Sequence, residues 1–414
     1  VGDYENEPFL FAIKALEREL GEEHFVHLLI TYMPIPQHVG EMKTKPTQQA
    51  IRMLSEHGIF PDFIVCRAEK FIDDVRKKKV QVGANVANDH IISAPDVETI
   101  YDIPLKLEDE NLGVKLLKKL SLNPRKKPEW DHWEKLVRRS REPNDHLQVA
   151  MVGKYVGIGD FQLTDSYISV NQSLVHAGVA SDASVEITWI DGHEFENGDR
   201  TLTELSEYDG VIVPGAFGGG GSEGVIQAIS FSRQNELPYL GLCYGLQLAV
   251  IEYARNVAGI QKATSEEFDE ESEWNVVCCQ ESQKDAVNNG RLGGSMRLGA
   301  YSAILKKDSK VLNLYEKSGR LAEDSKRIEQ LLSLPEEAHR IGMLMTDRDK
   351  AVLERHRHRY EISPRFVELL EDEGLVFSGY HRRSDGTRLM EYIELSNHPF
   401  FIATQAHPEF KSRM

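Results

Sequence analysis

The sequence predicts an α/β protein of two domains, each built on a mainly parallel sheet covered by helices. Three observations carry that expectation. Short Val/Ile-rich runs alternate with helical stretches, the pattern of strands buried on both faces. The chain has 414 residues, more than one core usually organises. Between residues 123 and 145 the apolar runs give way to a Pro-, Lys- and Trp-bearing stretch that reads as a linker. The expected partition is therefore 1–122, a linker over 123–145, and 146–414.

In the first domain an amphipathic helix is expected from Phe9 to Leu20, then a strand from Phe25 to Tyr32. Lys43-Thr-Lys-Pro-Thr-Gln48 opens the next helix, which runs through Ser55, with Pro46 suited to its first turn. Two lysines beside a helix start suit a phosphate, or simply a solvated basic turn. Gly58 to Arg67 reads as turn and strand, and Lys77 to Gly83 as another short strand. The second domain opens with a strand from His146 to Tyr155. A helix over Asp165–His176 and a strand over Ser184–Ile190 follow. Asp308 to Asp349 carries Lys, Glu and Leu at helical spacing and reads as a surface insertion with a solvated charged face. In Arg355-His-Arg-His-Arg359 strand alternation puts the arginines on one face and the histidines on the other. Such a row suits carboxylates or phosphates, or a surface strand bridged to acids.

Composition bounds the function. Hydrophobic residues make up 41% and charged residues 28%, as in ordinary globular proteins. A formal net charge of −17 disfavours non-specific nucleic-acid or anionic-membrane binding. Four cysteines without a CxxC pattern point to a reducing compartment, so a cytoplasmic protein is expected. No apolar run approaches a membrane span, and no signal peptide is visible. His356 and His358, two apart, complete no recognisable metal-ligand spacing with a carboxylate or a further His.

The chemistry centres on Pro238-Tyr-Leu-Gly-Leu-Cys-Tyr-Gly-Leu-Gln247. An apolar strand runs into Cys243, Gly241 and Gly245 flank it, and a helical pattern follows. That is the shape of a nucleophile elbow, with the sulfur exposed at a helix N-terminus. A lone cysteine at a strand end is more often a small buried residue. Two distant stretches favour the catalytic reading. In Gln405-Ala-His407-Pro-Glu409, His407 and Glu409 stand two apart, so Glu409 is placed to orient a base. In Val211-Ile-Val-Pro-Gly-Ala-Phe-Gly218 a buried strand opens into a glycine loop whose N–H groups suit an oxyanion hole.

Pro214-Gly-Ala-Phe217, Gly241-Leu-Cys-Tyr-Gly-Leu-Gln247 and His407-Pro-Glu409, in this order, resemble the triad-type class I glutamine amidotransferases. Glu41-Met-Lys-Thr-Lys-Pro-Thr-Gln48, Gly293-Gly-Ser-Met-Arg-Leu-Gly299 and Glu354-Arg-His-Arg-His-Arg-Tyr-Glu361 narrow the resemblance to CTP synthases. It covers nearly the whole chain apart from 308–348. It implies a partial P-loop-like synthetase domain ahead of a flavodoxin-like glutaminase domain. It also implies ATP-dependent amination of UTP to CTP, with ammonia drawn from glutamine. Carried over, Cys243 is the nucleophile, His407 the base and Glu409 its orienter. Gly215 and Tyr244 give the oxyanion hole. Ala216, Tyr244, Gly245, Leu246, Gln247, Glu267 and Arg357 bind glutamine, Glu267 at the amino group and Arg357 at the carboxylate. Asp3, Tyr4, Glu5, Lys43, Thr44, Lys45, Pro46, Thr47, Gln48 and Lys79 line the UTP/CTP site, and Asp96 and Val97 meet the ATP adenine. Also implied are Mg²⁺, activation by GTP, feedback inhibition by CTP, and a homo-oligomer, dimer or tetramer.

Three departures qualify these expectations. No GxxxxGK[ST] phosphate loop occurs in these residues, and the family carries that loop and its Mg²⁺ carboxylates ahead of Val1-Gly-Asp. An incomplete synthetase domain is therefore expected, with metal ligands unassigned. Gly220 stands where the family usually has Arg, and Ala216 where it commonly has Gly. The competing readings are another class I amidotransferase, a free glutamine or γ-glutamyl hydrolase, and a glutaminase-only or scaffold form. The Lys43–Gln48 stretch and the Arg-His-Arg-His-Arg strand argue against the first, and residues 1–120 against the second.

Overall fold

The computed structural model describes residues 3–154, 157–158, 161–162, 167–280, 296–335, 341–342, 344 and 350–414. Gly293, Gly294 and Ser295, and the expected helix start at Asp165, lie outside the described residues. The chain divides into two compact units, Val1–Pro143 and Asn144–Met414.

The N-terminal unit holds β1 (Leu28–Tyr32), β2 (Phe63–Ala68) and β3 (Ile91–Pro95), all parallel, in the order β1-β2-β3. Alternation along β2 sends Ile64 and Cys66 to one face and Phe63 and Val65 to the other. The first pair packs with Ile51, Leu54 and Val80 from the helices Lys45–Glu56 and Asp74–Ala84. The second packs with Leu112 of the helix Leu112–Lys119. Residues 77–83, expected as a strand, lie inside the helix Asp74–Ala84. Asp73 caps it by accepting from Arg76 N at 2.8 Å. Only Val80 is buried there, while Val82 is 80% exposed, so the Val-x-Val spacing never meets a sheet. Within 123–145, the helix Asp131–Arg141 buries Val137, and Trp133 Nε1 donates to the Tyr101 carbonyl at 2.8 Å.

The C-terminal unit is organised by β4 (Asp145–Gly153), β7 (Ala183–Asp191), β8 (Gly210–Val213), β9 (Tyr239–Leu242), β12 (Arg297–Leu305), β13 (Ala351–His358), β15 (Val376–Arg382), β16 (Arg388–Glu394) and β17 (Phe401–Thr404). They form one sheet in the order β13-β12-β15-β16-β17-β9-β8-β4-β7. Pairing is parallel from β17 through β9, β8 and β4 to β7, and antiparallel from β17 through β16, β15 and β12 to β13. Every residue of β8 and β17 is buried, as both-face burial of a central strand requires. The short strands β5 (Gly157–Ile158) and β6 (Phe161–Gln162) form a hairpin, and β10 (Thr264–Ser265), β11 (Asn275–Cys279) and β14 (Tyr360–Ile362) a small second sheet. The charged stretch after Asp308 forms the helices Lys310–Lys317 and Arg320–Leu332. They are more than a solvated face. Val311, Leu312 and Ile328 are buried, and Asp324 accepts from Leu353 N at 3.0 Å.

Candidate active site

The site begins where β9 ends. Cys243 takes φ 52°, ψ −94°, between the strand and the helix Tyr244–Asn256. A side chain at positive φ costs on the order of 1–3 kcal/mol, so the surroundings must hold it. They do so through Cys243 N, which donates to the Thr404 carbonyl at 2.7 Å, and through the Cys243 carbonyl, which accepts the first helical bond from Gln247 N. The turn is tight enough to exclude a side chain at Gly245. A Cβ there would sit 2.4 Å from the Val213 carbonyl oxygen.

His407 follows β17, which lies beside β9 in register Thr404↔Leu242. Its Nδ1 lies 2.7 Å from Glu409 Oε1, which leaves Nε2 facing the cysteine side. His407 stands beside Cys243, and both residues and Glu409 are buried. Burial works against a charged imidazole. Interaction with Cys243 and the bond to Glu409 outweigh it and push His407 up to about 10. Gly215 backs onto this pair. A Cβ there would be 2.8 Å from His407 Cε1 and 3.6 Å from Cys243 Cβ.

A cavity of about 80 Å³ opens at Cys243. Ala216, Gln247 and Glu267 line it, with Met296, His358, Arg359 and Tyr360. Glu267 and Arg359 thus bring opposite charges to one small space. Burial raises the Glu267 carboxyl, opposed by the Gly218 N–H at 2.9 Å and by Lys154 and Arg359. One expectation is corrected here. Arg357 is exposed on β13 and does not line the cavity, whereas Arg359, just past the strand, does. Within β13 burial alternates as expected, with Arg355 and Arg357 exposed and His356 and His358 buried, but Arg359 lies past the strand, where alternation no longer applies. Gly245 and Leu246 are buried in the first helical turn and do not line it.

The fastening of the glycine loop leaves no mark in any short sequence pattern. Tyr244 Oη donates to the Gly218 carbonyl at 2.8 Å. Lys154 Nζ donates to the carbonyls of Phe217, at 2.8 Å, and Gly218. Burial lowers Lys154, with Glu267 opposing that shift. A charged layer behind the cavity was also missed. Arg297 lies between Glu361 at 3.0 Å and Glu391 at 2.8 Å, and His358 Nε2 is 2.8 Å from Glu361. Burial opposes ionisation of Glu361, but Arg297 and His358 bring it down to about 2. Burial drives Glu391 the other way, up to about 7, despite Arg297. His381, buried with its Nδ1 2.8 Å from the Ser302 carbonyl, falls to about 4.

In the N-terminal unit the expected nucleotide residues are looser. Lys43 pairs with Glu41 at 2.9 Å, and Arg76 reaches the same carboxylate at 3.5 Å. Hydrogen bonding from Lys43, with charge from Arg76 and Lys79, holds Glu41 low. Arg76 is therefore a neighbour that sequence reading missed. Lys45, Pro46 and Lys79 are exposed, and Thr44 is half-buried. Thr47 is buried and donates to Thr31 Oγ1 at 3.0 Å, and Gln48 Nε2 donates to the Lys79 carbonyl at 3.1 Å. Asp3 accepts from Glu5 N at 3.4 Å, and Tyr4 is 77% exposed. Asp96 and Val97 follow the carboxyl end of β3, the edge where open α/β sheets bind ligands.

Comparison with known proteins places both units. The family model described as CTP synthase N-terminus matches residues 1–122, and the one described as glutamine amidotransferase class-I matches 162–414. CTP synthases of Methanocaldococcus jannaschii and Pyrococcus furiosus are each 41% identical over the whole of this chain, which covers 69% and 68% of their lengths. The Trypanosoma brucei CTPS glutaminase domain, solved with bound acivicin, aligns with a TM-score of 0.51 at 33% identity, over 64% of this chain and 86% of that one. The chain belongs to the CTP synthase family.

Proposed function

We propose that this chain hydrolyses glutamine at Cys243, His407 and Glu409 and delivers the ammonia to ATP-dependent amination of UTP, giving CTP. The observation that supports it most is the 2.7 Å bond from His407 Nδ1 to Glu409, with Nε2 left for the cysteine. In this reading Cys243 gives its thiol proton to His407, and its Sγ attacks the carboxamide carbon. The carbonyl electrons move onto oxygen, where the N–H groups of Gly215 and Tyr244 receive them. His407 passes its proton to the departing nitrogen, the C–N bond breaks, and ammonia leaves a thioester on Cys243. Water then adds to the thioester with His407 as base. Glu267 takes the substrate ammonium and Arg359 its carboxylate. Bound acivicin in the related trypanosomal domain agrees with a site of this kind.

The synthetase part is assigned to 1–122, the linker to 123–145 and the glutaminase to 146–414. Lys43 to Gln48, Lys79 and Arg76 supply positive charge for UTP or CTP phosphates, and Asp96 and Val97 meet the adenine. Among the described residues no group of three or more His, Cys, Asp or Glu side chains could hold a metal ion. Mg²⁺ is usually held by one or two carboxylates together with the nucleotide phosphates. GTP activation, CTP inhibition, a homo-oligomer and a cytoplasmic location complete the proposal. Among the described residues no helix is long and apolar enough to cross a membrane. The test is glutaminase turnover, and CTP formation with glutamine or ammonia, in the chain and in Cys243→Ala. Hydrolysis that survives Cys243→Ala would remove the reading.

A further inference from the structure

The sulfur has a neighbour that the proposed triad does not use. Gln405 directly follows β17 and is fully buried. Its side-chain nitrogen lies 3.5 Å from Cys243 Sγ. A second amide sets that orientation. Gln247 Nε2 donates to the Tyr360 carbonyl at 3.0 Å, an atom that can only accept. The same nitrogen is 3.3 Å from Gln405 Oε1. Gln405 therefore turns its oxygen to Gln247 and its NH₂ to the sulfur. Both hydrogens of the Gln247 amide are committed within the protein, which leaves only its oxygen for a ligand. The backbone fixes the arrangement, since Gln405 N donates to the Glu391 carbonyl at 2.8 Å and Cys243 N to Thr404.

We propose that Gln405 is a further catalytic residue, whose side-chain N–H donates to Cys243 Sγ and stabilises the thiolate, with Gln247 positioning that amide. This rests on the glutamine hydrolysis proposed above. A donor to ionised sulfur binds more strongly than the same donor to a neutral one. In the thioester the sulfur is bonded to carbon and uncharged, so the bond weakens. During hydrolysis water oxygen adds to the thioester carbon while a water proton passes to His407. The C–S bond then breaks, its electron pair returns to sulfur, and glutamate leaves. Gln405 meets that returning charge, so the effect falls on the chemical steps and little on substrate binding.

The experiment uses the full chain with Gln405→Met and Gln247→Met. It reads the rate of Cys243 alkylation by iodoacetamide against pH, and kcat and KM for glutamine. Gln405→Met is expected to lower kcat about 10- to 100-fold with KM within about twofold, because a hydrogen bond to a charged group is lost. Its alkylation curve moves to higher pH by about one unit or more. Gln247→Met moves both in the same direction by less. An unchanged alkylation curve in a folded Gln405→Met protein overturns the proposal, whatever its melting temperature, since that marks a purely structural role. If Gln405→Met does not fold, an unchanged curve in Gln247→Met overturns it instead. A wild-type chain that neither turns over glutamine nor takes a glutamine-like electrophile on Cys243 defeats the proposed function, and the alkylation curves still decide the sulfur contact.

Discussion

The two units hold their candidate chemistry in opposite ways. In the C-terminal unit Cys243, His407 and Glu409 are buried, hydrogen-bonded and fixed before any substrate arrives. In the N-terminal unit Lys45 and Lys79 stand in solvent, and Lys43 is neutralised by Glu41. The difference follows from the ligands each is proposed to take. A carboxamide carries no net charge, so the protein must supply a desolvated nucleophile and aligned donors. A nucleotide brings its own multiple charge, and exposed cations can meet it at little desolvation cost. Preassembly belongs to the weak electrophile and loose positive charge to the polyanion.

The most severe way to break the contrast is at the elbow. Cys243→Ala is expected to lower glutamine turnover by at least about 10³-fold, read by glutamate release, because triad members act as a unit. Ammonia-dependent CTP formation, where the molecule supports it, should survive. Next come two arginines, one on β13 and one just past its end. Arg359→Ala should raise KM for glutamine about 10- to 100-fold, the low end for a charge pair that is only partly buried. Arg357→Ala should change KM by less than about twofold, since an exposed ion contact is worth little. Equal effects would mean the cavity assignment is wrong.

Ionic strength sharpens the contrast without mutation. The screening length falls from about 10 Å at 0.1 M salt to about 3 Å at 1 M. UTP or CTP affinity, measured by calorimetry, should therefore drop several-fold over that range, while KM for glutamine moves little. The smallest effect is on stability. Burial holds His381 down to about 4, below its ordinary value, so the fold favours the neutral ring. Its contribution is present above about 6.5 and is lost as pH falls toward 4. His407 is shifted upward, so its contribution is present below about 6.5 and is lost as pH rises through about 10. Melting temperature against pH should show both limbs, with His381→Gln flattening the acid one and His407→Gln the alkaline one.

How legible each feature was in the sequence follows from how local it is. The elbow could be read because a strand, a tight turn and a helix leave their marks within ten residues. His407 and Glu409 could be paired because they are two apart. Arg357 was carried over from the family motif in place of Arg359, and alternation could not correct it because Arg359 lies past the end of β13. The helix Asp74–Ala84 was misread because Val80 and Val82 imitate a strand, while the deciding signal was the cap at Asp73. The Lys154 fastening and the Gln405 contact join residues far apart in the chain, and no short pattern announces them. The layer around Arg297 was hidden for the same reason, since its partners come from β14 and β16.

The change of pairing at β17 has a consequence for how such a molecule acquires activity. Cys243 is delivered by the parallel half of the sheet and His407 by the strand that closes it against the antiparallel half, with Gln405 and Cys243 162 positions apart. Contacts that close such long loops are slow to form. Catalytic competence is thus a proofreading signal for the whole sheet. During refolding, helical signal should recover first and glutamine turnover last. A chain that has turnover must already have joined its two halves at the one strand they share.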